Sequence, residues 1–142
     1  MMILDTNVVS EPIRPRGDPA VLAWLDRQIA ETLFVTATSL AELLVGVEAL
    51  PLGRCREGLD AALARLISAL FGPRILSFDE SAAKVYALLI GHSRGAGRNI
   101  AVADGQIAAI ASVHGFTVAT RDEIPFRSAG VTVINPWTAP GA

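Results

Sequence analysis

The stretch Met2-Ile3-Leu4-Asp5-Thr6-Asn7 decides the fold. A short apolar run cut off by an acid and two hydrogen-bonding side chains reads as a buried strand feeding a polar turn. The pattern returns late in the chain, where Phe116-Thr117-Val118-Ala119 is halted at Thr120-Arg121-Asp122. Two further apolar runs lie between, Leu33-Phe34-Val35-Thr36 and Arg74 to Phe78, and Gly130 introduces a last one, Val131 to Ile134.

Helical patterns fill the gaps. Pro12, Pro15 and Gly17 break the chain after the first turn, and Asp18-Pro19 supplies a cap and a first-turn proline for a helix to about Ala30. Ser39 opens the next helix, with Leu40, Leu43, Leu44 and Val47 as its apolar stripe. Past Pro51 and Gly53, Leu59, Leu63, Leu66, Ile67 and Leu70 mark a helix from about Arg56 to Phe71, stopped by Gly72-Pro73. Asp79 caps a helix running to about His92, and Gly95-Ala96-Gly97 is a loop. Ile100, Ala103, Ile107, Ile110 and Ala111 mark a helix ending at Gly115. Asn135-Pro136-Trp137 closes the pattern, and the final residues are expected to be loose. Strands alternating with helices predict an α/β domain of three layers, α/β/α, around a mostly parallel central sheet of four to five strands. No repeat, low-complexity run or boundary interrupts it, so residues 1–142 read as a single domain.

Bulk properties narrow the function. The formal net charge of −2 excludes a polycation, so a nucleic acid would be held locally by arginines. Lys84 is the one lysine among 12 basic residues. Arginine suits bidentate phosphate contacts, although a GC-rich genome gives the same bias. A single cysteine, Cys55, forms no internal disulfide and reads as packing in a reducing compartment. The chain passes from Met1-Met2 straight into the first strand without a signal-peptide pattern. Its most apolar stretch, Ile100 to Ala119, contains Asp104, Gln106 and His114 and makes a poor membrane span. A cytoplasmic location without membrane contact follows as the expectation. A mean hydropathy of +0.45 points to apolar surface that a second subunit or a partner covers.

Four acids fall where ligands of open α/β sheets bind, beyond the carboxyl ends of the strands. Asp5 follows the first strand and Asp122 the fourth. Glu42 lies in the first turns of the helix after the second strand. Asp104 lies in the first turn of the helix leading into the fourth strand, and such a crossover helix begins at that same rim. Each acid has a plainer explanation. Ser39-Leu40-Ala41-Glu42 matches a capping box, Asp104 suits a helix N-terminus, and Asp5 and Asp122 suit turns. Together they repel: two unit charges 4 Å apart cost about 4 kcal/mol at an effective dielectric near 20. A divalent cation removes that cost, and oxygen ligands suit Mg²⁺ or Mn²⁺. His92 and His114 stand at helix ends, away from any zinc-like cluster. An ion held by carboxylates orients a phosphodiester, activates a water and stabilises the leaving oxygen.

The strings themselves carry a resemblance. Leu4-Asp5-Thr6-Asn7-Val8-Val9-Ser10-Glu11 resembles the opening of PIN-domain toxins of the VapC/FitB type. Ser39-Leu40-Ala41-Glu42-Leu43 with Gly46 resembles their second motif, and Asp104-Gly105-Gln106-Ile107-Ala108-Ala109-Ile110-Ala111 their third. Val118-Ala119-Thr120-Arg121-Asp122, Phe126 and Val133-Ile134-Asn135-Pro136-Trp137 are similar to the last. The motifs keep the family's order along nearly the whole chain.

The resemblance implies an endoribonuclease dependent on Mg²⁺ or Mn²⁺, with Asp5, Glu42 and Asp104 as metal-centre acids and Thr6, Asn7 and Thr120 as supporting hydrogen-bonders. It further implies a homodimer, an RNA substrate such as tRNA, and a small antitoxin that covers the acidic groove. DNA would be reached only through that antitoxin. The last motif departs from the family, which commonly has threonine-arginine-asparagine and an aspartate three residues on. Here Asp122 takes the asparagine position and Pro125 the aspartate position. Asp122 stands as the fourth acid with Glu123 as its rival, and the number of metal ions stays open at one or two. Arg94, Arg98 and Arg121 flank the rim as candidate phosphate contacts or as solvated loop arginines. Two other readings compete: an aspartyl phosphotransferase using Asp5, disfavoured because Lys84 is on a mid-chain helix, and a degenerate PIN domain that binds without catalysis.

Overall fold

The structure, a computed structural model, describes residues 1–139. The chain end expected to be loose, 140–142, lies outside the described residues. Five strands form one sheet: β1 (Met2–Leu4), β2 (Leu33–Thr36), β3 (Ile75–Leu76), β4 (Thr117–Ala119) and β5 (Val133–Ile134). Their order is β3-β2-β1-β4-β5, and every neighbouring pair is parallel. The sheet expected to be mostly parallel is parallel throughout its described strands. Ile3 stands opposite Phe34 on one side and Val118 on the other. With β1 central, the chain builds outward through β2 and β3, then crosses over to β4 and β5. That reversal places a topological switch point beside β1.

The helices are α1 (Thr6–Val9), α2 (Pro19–Asp26), α3 (Ala37–Glu48), α4 (Arg54–Leu66), α5 (Glu80–Gly95), α6 (Val102–His114) and α7 (Glu123–Ser128). Successive strand residues face opposite layers. Leu4, Leu33, Val35 and Ala119 pack with Val8, Val21, Leu43, Val47 and Leu63 of α1–α4. Ile3 and Val118 pack with Ala82, Ile107, Ile110 and Phe126 of α5–α7. Three layers result, as the strand–helix alternation implies. Ile3 is 0% and Leu4 1% exposed, so each contributes about 1.5–3 kcal/mol by leaving water.

Several boundaries differ from the sequence expectation, each for a local reason. The second helix stops at Asp26 rather than near Ala30, because the chain turns through a 3₁₀ segment, Ala30–Thr32, into β2. Helix α3 starts at Ala37, capped by Thr36, whose hydroxyl accepts the Ser39 amide at 3.0 Å. Ser39 is therefore inside the helix. The helix expected to reach Phe71 is α4 followed by a π turn, Ile67–Phe71, ended by Gly72 at φ +47°. Strand β3 is short, although the Arg74 carbonyl before it still accepts the Val35 amide at 3.1 Å; the Arg74 side chain ties this edge down, its Nε donating to the Leu33 carbonyl at 2.9 Å and an Nη to that of Leu70. The caps at Asp18 and Asp79 form, accepting from the Ala20 and Ala82 amides. Gly115 closes α6 in the left-handed region. Helices α5 and α6 approach closely at Gly105, where a Cβ would lie 2.8 Å from the Tyr86 ring.

Candidate active site at the carboxyl ends of β1 and β4

Asp5 ends β1 by turning its carboxylate onto its neighbours. Oδ1 accepts the Thr6 amide at 2.8 Å and so caps α1; Oδ2 accepts the Thr120 hydroxyl at 2.7 Å. Its own amide still donates to the Ala119 carbonyl, 2.9 Å away, in register with β4. Thr120, fully buried, spends its one proton on Asp5 and accepts from the Asp122 amide at 3.0 Å and Asn7 Nδ2 at 3.4 Å. Asn7 Oδ1 accepts the Arg121 amide at 3.3 Å. The ends of two adjacent parallel strands are thereby laced into one polar patch at the switch point.

Glu42 does not make the capping box its spacing suggests. Thr36 does the capping, and Glu42 Oε1 instead accepts the Thr6 hydroxyl at 2.8 Å, at the solvent-facing edge of the patch. Asp104 is the third residue of α6 and is partly buried. Asp122, exposed, sits at the N-cap of α7 but makes no side-chain cap. Glu123 is turned away, held by Arg127 at 2.7 Å and Asn135 at 3.0 Å. Between the helices carrying Glu42 and Asp104, the Thr38 hydroxyl donates to Gln106 Oε1 at 3.0 Å, a link without a sequence signal.

The four acids feel one another. Burial raises the Asp5 carboxyl above its usual range, hydrogen bonds from Thr120 and Thr6 pull it down, and the charges of Glu42 and Asp122 push it up again. Asp104 is pushed up to about 6, first by burial and then by the charges of Asp5, Asp122 and Glu42. No cationic side chain enters either balance. The donor set is all oxygen, since His92 and His114 lie exposed in the last turns of α5 and α6 and Cys55 is exposed on α4. Among the described residues no three His, Cys, Asp or Glu stand close enough to grip one ion together. Such an array suits a hard cation that keeps much of its water, as Mg²⁺ does when held through one or two carboxylates.

Around the acids lie three further features. Arg94 and Arg98 line a hollow of about 250 Å³ with Tyr86, Asn99 and Val102, at the start of α6. Beside Glu42 an apolar groove of about 330 Å³ runs between Ile13, Val47, Leu50 and Leu59. Arg121 does not reach toward the acids but sits 4.2 Å over the Trp137 ring. The Arg–Trp pair was invisible in the sequence because its members belong to different strands' ends. Glu11, quoted only inside a motif, proves to be a buried carboxylate that accepts the Asp18 amide at 2.7 Å and Arg14 at 3.0 Å.

Comparison with known proteins gives matches over nearly the whole chain. The family model of the PIN domain matches residues 2–131. The toxin FitB of Neisseria gonorrhoeae is 47% identical over 137 residues, covering 96% of this chain and 99% of that protein. A VapC ribonuclease, Y4jK of Sinorhizobium fredii, is 45% identical, covering 96% of this chain and 98% of that one. Among solved structures, FitAB bound to the IR36 DNA fragment aligns with a TM-score of 0.93 at 44% identity, over 99% of both chains.

Proposed function

The chain belongs to the PIN-domain family, and on that premise we propose that it is a divalent-metal-dependent endoribonuclease, the toxin half of a toxin–antitoxin pair. One observation carries this reading: four carboxylates from separate elements share one rim, where burial first and then the charges of Asp5, Asp122 and Glu42 push Asp104 up to about 6, with no side-chain cation to relieve it. The similarity to a VapC ribonuclease supports RNA as the substrate class, with tRNA one candidate. The similarity to FitB, and to FitAB on DNA, supports a small antitoxin as partner and DNA contact through that partner. We extend the proposal to a homodimer and to one domain spanning residues 1–142; the single five-stranded sheet packed between both helical layers supports the latter.

Asp5, Glu42, Asp104 and Asp122 would surround a hydrated Mg²⁺ or Mn²⁺, one or two of them directly and the others through its water. When bound, the cation supplies positive charge to the scissile phosphate and an activated water, so that hydrolysis yields a phosphomonoester and an alcohol. The remaining work belongs to the chain. Thr120 and the Thr6 amide fix both oxygens of Asp5, and the Thr6 hydroxyl holds Glu42 toward the same patch. Asn7 ties β4's end to α1. Asp122 rather than Glu123 takes the fourth position, because Glu123 is already engaged.

The test is cleavage of total RNA with and without Mg²⁺ or Mn²⁺. Loss of cleavage with chelator and in Asp104→Asn is expected; undiminished cleavage by that variant would count against the assignment. A second reading, a PIN domain that binds without catalysis, is favoured by the spread of the acids and by Pro125 in the last motif. Calorimetry with Mn²⁺ separates the two, since no saturable binding at millimolar metal would support it.

A further inference from the structure

We propose that Arg121 and Trp137 form a nucleotide-binding subsite of the acidic centre, in which Arg121 takes a phosphate of the RNA chain beside the bond to be cut; this rests on the ribonuclease reading. Arg121 lies between Thr120, which holds Asp5, and Asp122. An arginine so close to carboxylates ordinarily folds onto one of them in a bidentate pair. Here, among the described residues, the ion pairs are made by Arg14, Arg56, Lys84 and Arg127, and Arg121 makes none. Its guanidinium stands over the Trp137 ring instead, and the residue is exposed.

Both halves of the pair are firmly mounted. The Thr120 amide donates to the Ile134 carbonyl at 2.9 Å, so β4–β5 pairing brings Arg121 level with the turn that carries Trp137. The Trp137 amide donates to Asn135 Oδ1 at 3.0 Å, and Asn135 Nδ2 donates to Glu123 at 3.0 Å. The Arg121 amide is fixed by Asn7. Trp137 also packs on the core shared by β1 and α1–α4. Its buried indole Nε1 finds no acceptor among the described residues, so packing and the arginine set the ring's orientation.

The arrangement has two chemical effects. It keeps a cation off the carboxylates, leaving them free for a divalent ion. It also keeps, on the residue between Thr120 and Asp122, a fork of N–H donors that makes no ion pair among the described residues, suited to phosphate oxygens. Four neighbouring carboxylates repel a small free anion, which disfavours a simple anion site. A phosphate delivered as part of a chain, with a divalent ion between it and the acids, escapes that repulsion. Arginine and aromatic side chains placed together are a common means of holding single-stranded RNA.

The experiment measures binding of a labelled single-stranded RNA in Mg²⁺ across a salt series, on the Asp104→Asn background so that the RNA stays intact. Arg121→Ala is expected to weaken binding about tenfold at low salt. It should also flatten the slope of log affinity against log salt by about 0.7, one phosphate contact fewer. Mn²⁺ binding by the chain with Asp104 restored should be unchanged or tighter in Arg121→Ala. It should weaken in Trp137→Leu, where the freed arginine competes for the acids, and recover in Trp137→Phe, which also guards against a folding defect. If Arg121→Ala leaves RNA affinity and salt slope unchanged while the parent chain cleaves RNA, this inference alone is overturned. If the parent chain neither binds nor cleaves RNA, the ribonuclease reading falls and takes this one with it.

Discussion

At the scale of the residue, Asp104 and Thr120 are the most informative. Burial, and then the charges of the neighbouring acids, push the Asp104 carboxyl up to about 6 from an ordinary 3.8. Between those values the folded chain binds more protons than the unfolded one, so stability from this group falls as pH rises through about 6. Asp104→Asn should therefore stabilise the metal-free protein at pH 7–8 while abolishing cleavage. After allowance for solvent screening the gain is about 1 kcal/mol, or roughly 3 °C in Tm. Thermal melts in chelator at pH 8 and pH 4 check this, and the difference should vanish at the lower pH. Thr120→Val removes the proton donated to Asp5 and strands the Asp122 amide and Asn7. A loss of about 1–3 kcal/mol is expected by urea denaturation, with kcat falling more than KM, whereas Thr120→Ser should retain both. Asp5, Asp104 and Asp122 were legible in the sequence because strand ends and helix starts are. The partner of Glu42 was not, because Ser39 and Thr36 offer equally good cap chemistry and only the folded chain chooses between them.

At the scale of the element, the two helices missing from the sequence reading explain what local pattern cannot carry. Helix α1 is four residues long and contains the β-branched Val8 and Val9, poor formers both. It exists because Asp5 caps it and the core takes those valines at 0% and 2% exposure. Helix α7 contains Pro125, which reads as a breaker but falls in the first turn, where the missing N–H has no helical partner anyway. The long helices were legible because their apolar spacing persists over several turns. Close packing was not, since Gly105 looks like any other glycine. Gly105→Ala must push the Tyr86 ring, 2.8 Å from the new Cβ, and the tip of Ile90 at 3.2 Å. We expect a cost of about 1–3 kcal/mol in urea melts. Cleavage should weaken more than the stability loss explains, because the shift moves the turn bearing Asp104. Tyr86→Leu should restore part of both.

At the scale of the whole molecule, the three layers and the parallel sheet followed from strand–helix alternation, and the strand order put the acids at the reversal. Apolar surface anticipated from the mean hydropathy is present, with Leu44, Val45, Leu52, Leu88 and Ile124 all exposed on the helices or their connections. No helix among the described residues is long and apolar enough to cross a membrane. Metal binding should act on the fold as a unit, since the acids come from both helical layers and the sheet. Mn²⁺ at a hundred times its Kd should add about 2.7 kcal/mol, roughly 8 °C in Tm, and Asp104→Asn should lose most of that shift. An unmoved melting curve at millimolar Mn²⁺ would count against the site.

The hydrogen bond from Thr120 to Asp5 joins residues 115 positions apart. During synthesis β1 emerges first and waits for β4, which at 5–20 residues per second takes roughly 6–23 s. Until then the nascent chain has Asp5, Glu42 and finally Asp104, and β2 to pair with β1, but neither the Ala119 carbonyl nor the Thr120 hydroxyl that seats Asp5. On the ribonuclease reading proposed above, the acidic centre is completed only once β4 has been made, and a chain truncated before β4 is expected to lack cleavage for the same topological reason.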